Sequence, residues 1–372
     1  MKKTLFGTTA LVTAGLLASS GAHAEEGIKL GLKGYMNNFF GIGSSDPNDG
    51  TDYAPTGLYS DGEVWFVGET TLDNGLTFGV NVQLEAFGDT GDTIDEDFGY
   101  VEGSFGRVLF GSENTAGYLM HYAAPSVGAP INSGWVTSFI PQPSGHNAGF
   151  RTTGLSTYID IGNDENVLTY FTPRFFGFQL GVTYAPAVVF TGNGKDFPVY
   201  ANTDTEYNNG LSVGVNFVDT FGAVDVAVSG AFTRADGPDS AVGADPSPPD
   251  MNQILFGGTV GFAGFTVGGS YSNEIDGRVT AAGVSTEGHS YDIGATYGTG
   301  PWTIGAAYIH GEVAGLRSNN KNDKMDAVRG AVEYAVGPGI TASISGMYAD
   351  WNEEAGNDND GFAGIAGLHF SY

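Results

Sequence analysis

The chain has 372 residues, with 42 acidic against 14 basic side chains, a formal charge of −28 and no cysteine. This composition excludes a disulfide-stabilised exported fold and a nucleic-acid partner, because phosphates would be repelled. High net charge is typical of disorder, but 13% aromatic residues and 60 glycines favour a packed fold with many turns. The length fits either two soluble domains or one large β domain.

The first 24 residues have the pattern of a bacterial secretory signal peptide. A positive "MKK" precedes the moderately apolar "TLFGTTALVTAGLLASSG", and "AHA" at 22–24 is a small-residue cleavage site. We therefore predict a signal peptide over residues 1–24 and a single mature domain over residues 25–372. No run of about 18 apolar residues follows Glu25, so no membrane-spanning helix is predicted.

The hydrophobic period of the mature chain is two, which predicts strands. In "GLTFGVNVQLEAFG" one face is apolar, and the other carries Thr77, Gly79, Asn81, Gln83 and Glu85. The stretches "GLSVGVNFV" and "GAVDVAVSG" alternate in the same way. Such segments extend from the first at Ile28–Gly41 to the last at Phe362–Tyr372.

Short turns alternate strictly with long polar connections along the chain. Seven glycine-containing turns join fourteen segments, and the first and last segments bring the total to sixteen; the turns are "LDNGL", "SFGRV", "FFGFQ", "TFGAV", "FAGFT", "GTGPW" and "VGPGI". The opposite connections, such as "SSDPNDGTDYAPTGLYSD", "DTGDTIDED" and "ADGPDSAVGADPSPPD", are long and acidic. Short turns at one end and long loops at the other are typical of a membrane barrel with an even number of strands.

The distribution of side chains favours an inside-out arrangement. A sixteen-stranded barrel is too wide for side chains to fill, so its lumen holds water and its apolar face contacts lipid. The predicted inner face is indeed polar, with Lys33, Tyr35, Asn37, Glu69, Asn81, Glu85 and Glu102. We predict an all-β, sixteen-stranded antiparallel transmembrane barrel, with Phe370 and Tyr372 at the periplasmic interface. The alternative is a secreted β-sandwich with an ordinary final strand.

The chain resembles the Gram-negative outer-membrane general-diffusion porins of the Neisseria and Rhodobacter type. The resemblance rests on "EEGIKLGLKGYM", "RVLFGSENTAGY", "NVLTYFTPRFFGFQLGVTYAP" and the final "HFSY", and the third of these is the most specific. Arg174 departs from that pattern, where an acidic or neutral residue is expected. The resemblance implies a homotrimer with one pore per subunit in the outer membrane, in contact with lipid and lipopolysaccharide. It also implies that the terminal aromatic residue is an assembly signal.

The longest connection, about residues 114–164, is the third long loop, which in porins folds into the lumen. It contains no Asp or Glu from Thr115 to Ser156 and many aromatic residues, so we expect it to pack inside the barrel; a surface flap or subunit latch is the alternative. Its candidate constriction residues are Arg151, His121 and His146. The candidates on the wall are Lys33, Arg329, Arg107, Glu63, Glu69, Glu85, Glu102, Glu113 and Glu333. The alternative for each charge is a solvated lumen residue with no selective role.

The remaining long loops are strongly acidic, which raises the local cation concentration. Carboxylates assigned to these loops are Asp46, Asp49, Asp52, Asp89, Asp92, Asp95, Glu96, Asp97, Asp236, Asp239, Glu353, Glu354, Asp358 and Asp360. The sequence therefore predicts a weak preference for cations. These loops are also candidates for weak Ca²⁺ or Mg²⁺ binding, although no EF-hand spacing occurs and dispersed acidity without a site is the alternative.

The sequence favours a passive channel for small hydrophilic solutes and ions, with no cofactor. A substrate-selective channel of the same fold and a surface adhesin are alternatives. An enzyme is not predicted, because His-Glu-x-x-His and cysteine are both missing. Outward positions near the barrel closure are small, at Gly34, Gly68, Thr70, Gly364 and Ala366, which favours a trimer contact through the first and last strands.

Overall fold

The computed structural model describes residues 27–87, 94–132, 134–143, 154–158, 165–188, 207–239, 248–277, 286–314, 322–354 and 356–372. The strands are β1 (Lys29–Ser45), β2 (Thr56–Thr71), β3 (Thr77–Phe87), β4 (Asp97–Gly103), β5 (Gly106–Ser112), β6 (Asn166–Phe171), β7 (Phe178–Val188), β8 (Tyr207–Phe221), β9 (Val224–Asp236), β10 (Met251–Phe262), β11 (Phe265–Asp276), β12 (Gly288–Thr299), β13 (Trp302–Ala314), β14 (Asn322–Gly337), β15 (Ile340–Asn352) and β16 (Asn359–Ser371). A one-turn helix α1 (Ala116–Leu119) and a 3-10 turn (Trp135–Ser138) follow β5.

The sixteen strands form one closed antiparallel barrel, as predicted. Each strand pairs with its neighbours in sequence, and β16 pairs with β1 so that Asn37 lies opposite His369. The backbone of Tyr372 completes this seam by exchanging two hydrogen bonds with Gly34, at 2.9 and 3.1 Å. Closure leaves no free sheet edge, which is the condition for a sheet to stand in hydrocarbon.

All seven predicted turns connect neighbouring strands in the structure. Glycine is needed there because the backbone takes positive φ; Gly75 has φ 83° and Gly222 has φ 67°. In the β10–β11 turn a non-glycine residue, Ala263, shares this conformation with φ 51°. Tight turns with positive φ match the right-handed twist of the flanking strands.

The two faces of the barrel have opposite chemistry. Large apolar side chains point outwards, such as Leu58 at 84% and Ile344 at 71% exposure. The inner face carries hydroxyl groups that are fully covered, as at Ser272 and Ser290. The predicted inside-out arrangement is therefore confirmed. Among the residues that the structure describes, no helix is long and apolar enough to cross a membrane.

Several strands extend further towards the long loops than the sequence indicated. β1 continues to Ser45, and "TGLYSD", interpreted as part of a loop, begins β2 at Thr56. The assignment of Asp97, Asp236 and Asp360 to loops is wrong, because Asp97 begins β4, Asp236 ends β9 and Asp360 lies in β16. Polar strand ends do not alternate in hydropathy once they leave the hydrocarbon region, so the pattern stops before the strand does. The predicted signal peptide lies outside the described residues.

Candidate functional site

The loop after β5 turns into the barrel at once. The amide of Ala116 donates to Thr183 Oγ1 on β7 at 2.8 Å, and that of Gly117 donates to Ser212 Oγ on β8 at 3.0 Å. The hydroxyl groups of the inner wall thus satisfy the free amides at the start of α1, which need partners when they are buried. This fixes the first turn of the loop against β6–β9.

The next segment approaches the wall so closely that the wall must be glycine. A Cβ at Gly257 on β10 would lie 1.8 Å from the carbonyl oxygen of Tyr122. The amide of Tyr122 donates to Ser229 Oγ on β9 at 2.9 Å. Further along, the amide of Ala124 donates to Asp292 on β12, 3.1 Å from Oδ2. The loop therefore follows the inner wall from β8 to β12.

The middle of the loop is held by a cluster of charged and polar groups on β14 and β15. Arg329 is 1% exposed, and its Nη1 donates to the carbonyl oxygen of Ala129 at 2.7 Å and to Ser126 Oγ at 3.1 Å. The amide of Gly128 donates to Glu333 Oε1 at 2.7 Å, and that of Ala129 donates to Ser345 Oγ at 2.9 Å. Charge-assisted bonds of this kind are about twice as strong as neutral ones.

The far part of the loop is held by apolar packing against β1 and β2. The ring of Phe39 meets the edges of Trp135 and Phe139, with centroids 6.0 and 5.5 Å apart. Tyr59 on β2 joins the same group. The returning segment at 154–158 is bound to β11, where Ser270 Oγ donates to Thr157 Oγ1 at 2.7 Å. The predicted inward fold of the third loop is thus confirmed for its described residues.

The loop covers the inner wall from β6 to β16 and also covers Phe39 on β1. It leaves most of the other inner side chains of β1–β5 facing the open lumen. This uncovered wall is acidic. Its partly or fully exposed carboxylates, here called the acidic crescent, are Asp61, Glu63, Glu69, Glu85, Asp95 and Glu102. The basic side chains on the same strands are Lys29, Lys33 and Arg107. The described parts of the loop that face the crescent contain no Asp, Glu, Lys or Arg.

Three carboxylates of the crescent converge. Oxygen atoms of Glu63, Glu85 and Asp95 all lie within 4.8 Å of one another. Glu63 accepts hydrogen bonds from the Tyr35 hydroxyl at 2.8 Å and from the Trp65 indole at 2.5 Å. These neutral donors orient the carboxylate without cancelling its charge. Like charges this close attract cations strongly when they border water.

A second part of the crescent lies towards the short turns. Glu69 accepts a hydrogen bond from Tyr100 at 2.5 Å, and Arg107 forms a salt bridge with Glu102 at 2.5 Å. The guanidinium of Arg107 also lies over the Tyr100 ring, 4.4 Å from its centroid. Glu63 and Glu69 are six residues apart on β2, so the carboxylates extend over roughly 20 Å of wall.

The structure brings together some of the predicted constriction residues and separates others. Lys33, Arg107, Glu69, Glu85 and Glu102 all lie on the uncovered wall. Arg329 is instead enclosed beneath the loop, where it serves as an anchor. Arg151 and His146 lie outside the described residues.

Two further predicted residues are buried at the base of the loop. His121 is 1% exposed, and burial lowers its pKa from 6.5 to about 4. Glu113 is 6% exposed and lies beside Glu96, which joins β3 to β4. Burial, and then the charge of Glu113, raise the pKa of Glu96 to about 10. Glu96 is therefore protonated at neutral pH. It accepts a hydrogen bond from Asn114 at 2.7 Å and so helps to attach the start of the loop to the wall.

Sequence reasoning missed several residues of the site. Asp61 was assigned to a loop, although its spacing of two from Glu63 indicates the same face of one strand. Asp292 alternates regularly with Tyr291 and Ile293, a signal that could have placed it inside. Arg174 was noted only as a departure from the porin pattern. It reaches from the β6–β7 turn to the inner wall, where Nη2 donates to Asn216 Oδ1 at 2.9 Å.

Comparison with known proteins agrees with this geometry. The model of the Gram-negative porin family matches residues 7–354, so the chain belongs to that family. An anion-selective porin from Comamonas acidovorans is 14% identical, covers 93% of this chain and 100% of its own, and superposes with a TM-score of 0.59. The trimer form of OmpT from Vibrio cholerae is 13% identical with the same coverage and a TM-score of 0.57. At these identities the likeness concerns the fold.

One curated relative is also similar to the chain. It is an uncharacterised protein of Rickettsia conorii, 22% identical over 298 residues, which are 65% of this chain and 66% of that protein. The chain thus spans just under two thirds of the length of that relative. Family membership and the closed barrel together place the chain among the porins of the Gram-negative outer membrane.

Proposed function

We propose that the protein is a general-diffusion porin that admits small hydrophilic solutes and ions and prefers cations, without catalysing a reaction. The observation that carries this proposal is the acidic crescent opposite a loop segment without ionised side chains. Carboxylates on one side of a narrow aqueous path lower the energy of a cation and raise that of an anion. A substrate-selective channel remains the alternative, and the aromatic side chains of the loop favour it.

The size of the expected preference follows from Coulomb's law. A carboxylate about 6 Å from the ion path contributes roughly 0.7 kcal/mol in water, and salt at about 0.1 M reduces this by nearly half. The sign is opposite for an anion, so each carboxylate shifts the cation-to-anion permeability ratio by roughly fourfold. Arg107 offsets part of the effect at Glu102, which makes Glu63, Glu69 and Glu85 the stronger determinants.

Reversal potentials under a KCl gradient in planar bilayers test the proposal. We expect potassium selectivity in the wild type, and we expect Glu69→Gln to lower the cation-to-anion permeability ratio by roughly fourfold. A matched control is Asp326→Asn on β14, because Asp326 points out of the barrel. Chloride selectivity in the wild type, or equal changes for Glu69→Gln and Asp326→Asn, would contradict the assignment of the crescent.

We also propose that three copies assemble in the outer membrane, in contact with lipid and lipopolysaccharide, through the outer face of β1, β2 and β16. Support comes from small outward residues such as Gly364 and Ala366, which allow close approach. The outer faces of β1 and β2 also carry large exposed side chains, including Leu30 at 75% and Leu58 at 84% exposure. Cross-linking through these strands is expected, whereas trimers joined through β8–β11 would refute this contact. Binding of Ca²⁺ or Mg²⁺ by the acidic loops stays a prediction.

A further inference from the structure

Two histidines and a glutamate meet on the outer surface of the barrel, away from the lumen. His289 on β12 lies directly opposite Glu312 on β13 in the strand register. His310 is two residues before Glu312 and therefore on the same outward face. One ligand atom from each of the three side chains lies within 4.8 Å of the other two, and the imidazole centroids of His289 and His310 are 6.0 Å apart.

The orientation of His310 is set by a carboxylate behind it. Nδ1 of His310 is 2.8 Å from Oδ1 of Asp326 on β14, and the same oxygen accepts the hydroxyl of Tyr308. Because the carboxylate can only accept, the proton resides on Nδ1 and the Nε2 lone pair is left for another partner. A carboxylate that holds one nitrogen of a histidine is the usual support for a metal bound to the other nitrogen.

Glu312 already interacts with a cation in the absence of metal. Lys324 Nζ is 3.3 Å from Oε2 of Glu312, and Asn322 Nδ2 donates to Oε1 at 2.6 Å. The lysine side chain is long and 48% exposed, so it can swing into solvent at little cost. The ammonium thus occupies a position in which a dication would interact more strongly with the carboxylate.

The position of the cluster relative to the membrane leaves it accessible. Tyr291 and Tyr308 point outwards on β12 and β13, where aromatic rings favour the membrane interface. Glu312 is four residues beyond Tyr308, about 13 Å further along the strand towards the long loops. The side chains of His310 and Glu312 are 16% and 23% exposed, so an ion can reach them from water.

We propose that His289, His310 and Glu312 form a binding site for a transition-metal dication of the Zn²⁺ class. Two imidazoles and one carboxylate supply three ligands, and the fourth position faces outwards. Imidazole ligands favour Zn²⁺, Cu²⁺ or Ni²⁺ over Mg²⁺ and Ca²⁺. The ion joins β12 to β13 above the aromatic ring belt and stabilises the barrel there. The site lies outside the lumen, so it does not depend on the proposed function of the channel.

The test uses ZnCl₂ with the folded full-length protein in detergent, by isothermal titration and by competition with a chromophoric chelator. We expect one Zn²⁺ per protomer, bound at least tenfold more weakly by His289→Asn, His310→Asn and Glu312→Gln. Asp326→Asn should weaken binding by about tenfold. Lys324→Gln should tighten binding, since the competing ammonium is removed. A millimolar excess of Mg²⁺ should not displace the ion.

The matched control is His369→Asn, which removes a lumen histidine and should bind Zn²⁺ as the wild type does. Heat-resistant migration of each variant on a gel establishes that the barrel is folded before binding is measured. Absence of Zn²⁺ binding by the wild type, or equal losses in His289→Asn and His369→Asn, would overturn the proposal. So would a Lys324→Gln variant that binds more weakly than the wild type.

Discussion

Replacing Arg329 with methionine is expected to release the middle of the third loop. The two side chains have similar length, but methionine has no donor. The change removes the bonds of Nη1 to the Ala129 carbonyl oxygen at 2.7 Å and to Ser126 at 3.1 Å. A hydrogen bond from a charged group contributes about 1.5–3 kcal/mol, and the longer of these two is the weaker. We therefore expect the loop segment to lose about 3 kcal/mol of anchoring.

A loss of about 3 kcal/mol raises the population of the detached segment by roughly 100-fold. Hydrogen exchange followed by mass spectrometry measures this at the amides of Gly128 and Ala129. Those amides are protected by Glu333 at 2.7 Å and Ser345 at 2.9 Å, and they exchange only when the segment leaves the wall. Open-channel current noise should increase in the same variant, because the detached loop moves in the lumen.

Arg234→Met provides the control, since the Arg234 side chain is 48% exposed and paired only with Asp236 and Asp250 among the described salt bridges. It should leave the loop amides unchanged. The reasoning fails if Arg329→Met leaves exchange at Gly128 and Ala129 within threefold of the wild type. It also fails if Arg234→Met accelerates their exchange as much.

Three further changes test the loop's attachment. Burial lowers the pKa of His121 from 6.5 to about 4, so its contribution to stability is present above pH 6.5 and is lost as the pH falls through 4. His121→Phe should remove up to about 3 kcal/mol of this acid-dependent loss in the free energy of unfolding, which is seen as a smaller fall in melting temperature at low pH. The pKa of Glu96 is raised to about 10, so its contribution is present below pH 4.5 and is lost as the pH rises towards 10; Glu96→Gln should melt higher than the wild type at pH 9. Gly257→Ala would place a Cβ 1.8 Å from a loop carbonyl and should cost about 1–3 kcal/mol of stability, whereas Gly346→Ala, with open space around it, should be neutral.

The architecture could be predicted from sequence because its rules are local. Alternation along a strand sets which side chain faces lipid, and glycine in a tight turn marks where the chain reverses. Phe217 and Asn216 on β8, for example, face outwards and inwards as the pattern indicates. The strand ends were less predictable, since beyond the hydrocarbon region nothing requires an apolar face. Asp360 was placed in a loop for this reason.

The contacts of the third loop could not be predicted in this way, since they join residues far apart in sequence. Arg329 and Ala129 are separated by 200 positions, and only the path of the loop decides that this arginine is an anchor. The same path decides that most of the inner face of β1–β5 stays uncovered. The sequence showed that the loop lacks carboxylates from Thr115 to Ser156, but not which wall it would cover. The sequence likewise assigned Glu96 to an acidic loop, and only the structure shows that its carboxyl is buried.

The position of the open channel can be measured directly, because the chain contains no cysteine. Single cysteines would be introduced by Glu69→Cys on the uncovered wall and by Ala349→Cys on the inner face of β15, beneath the loop. Ala349 is 0% exposed. A small cationic thiol reagent should react quickly at position 69 and lower both the conductance and the cation selectivity, and it should react at least 100-fold more slowly at position 349. Equal reaction rates at the two positions, or modification at position 69 without any change in current, would contradict a channel bounded by β1–β5.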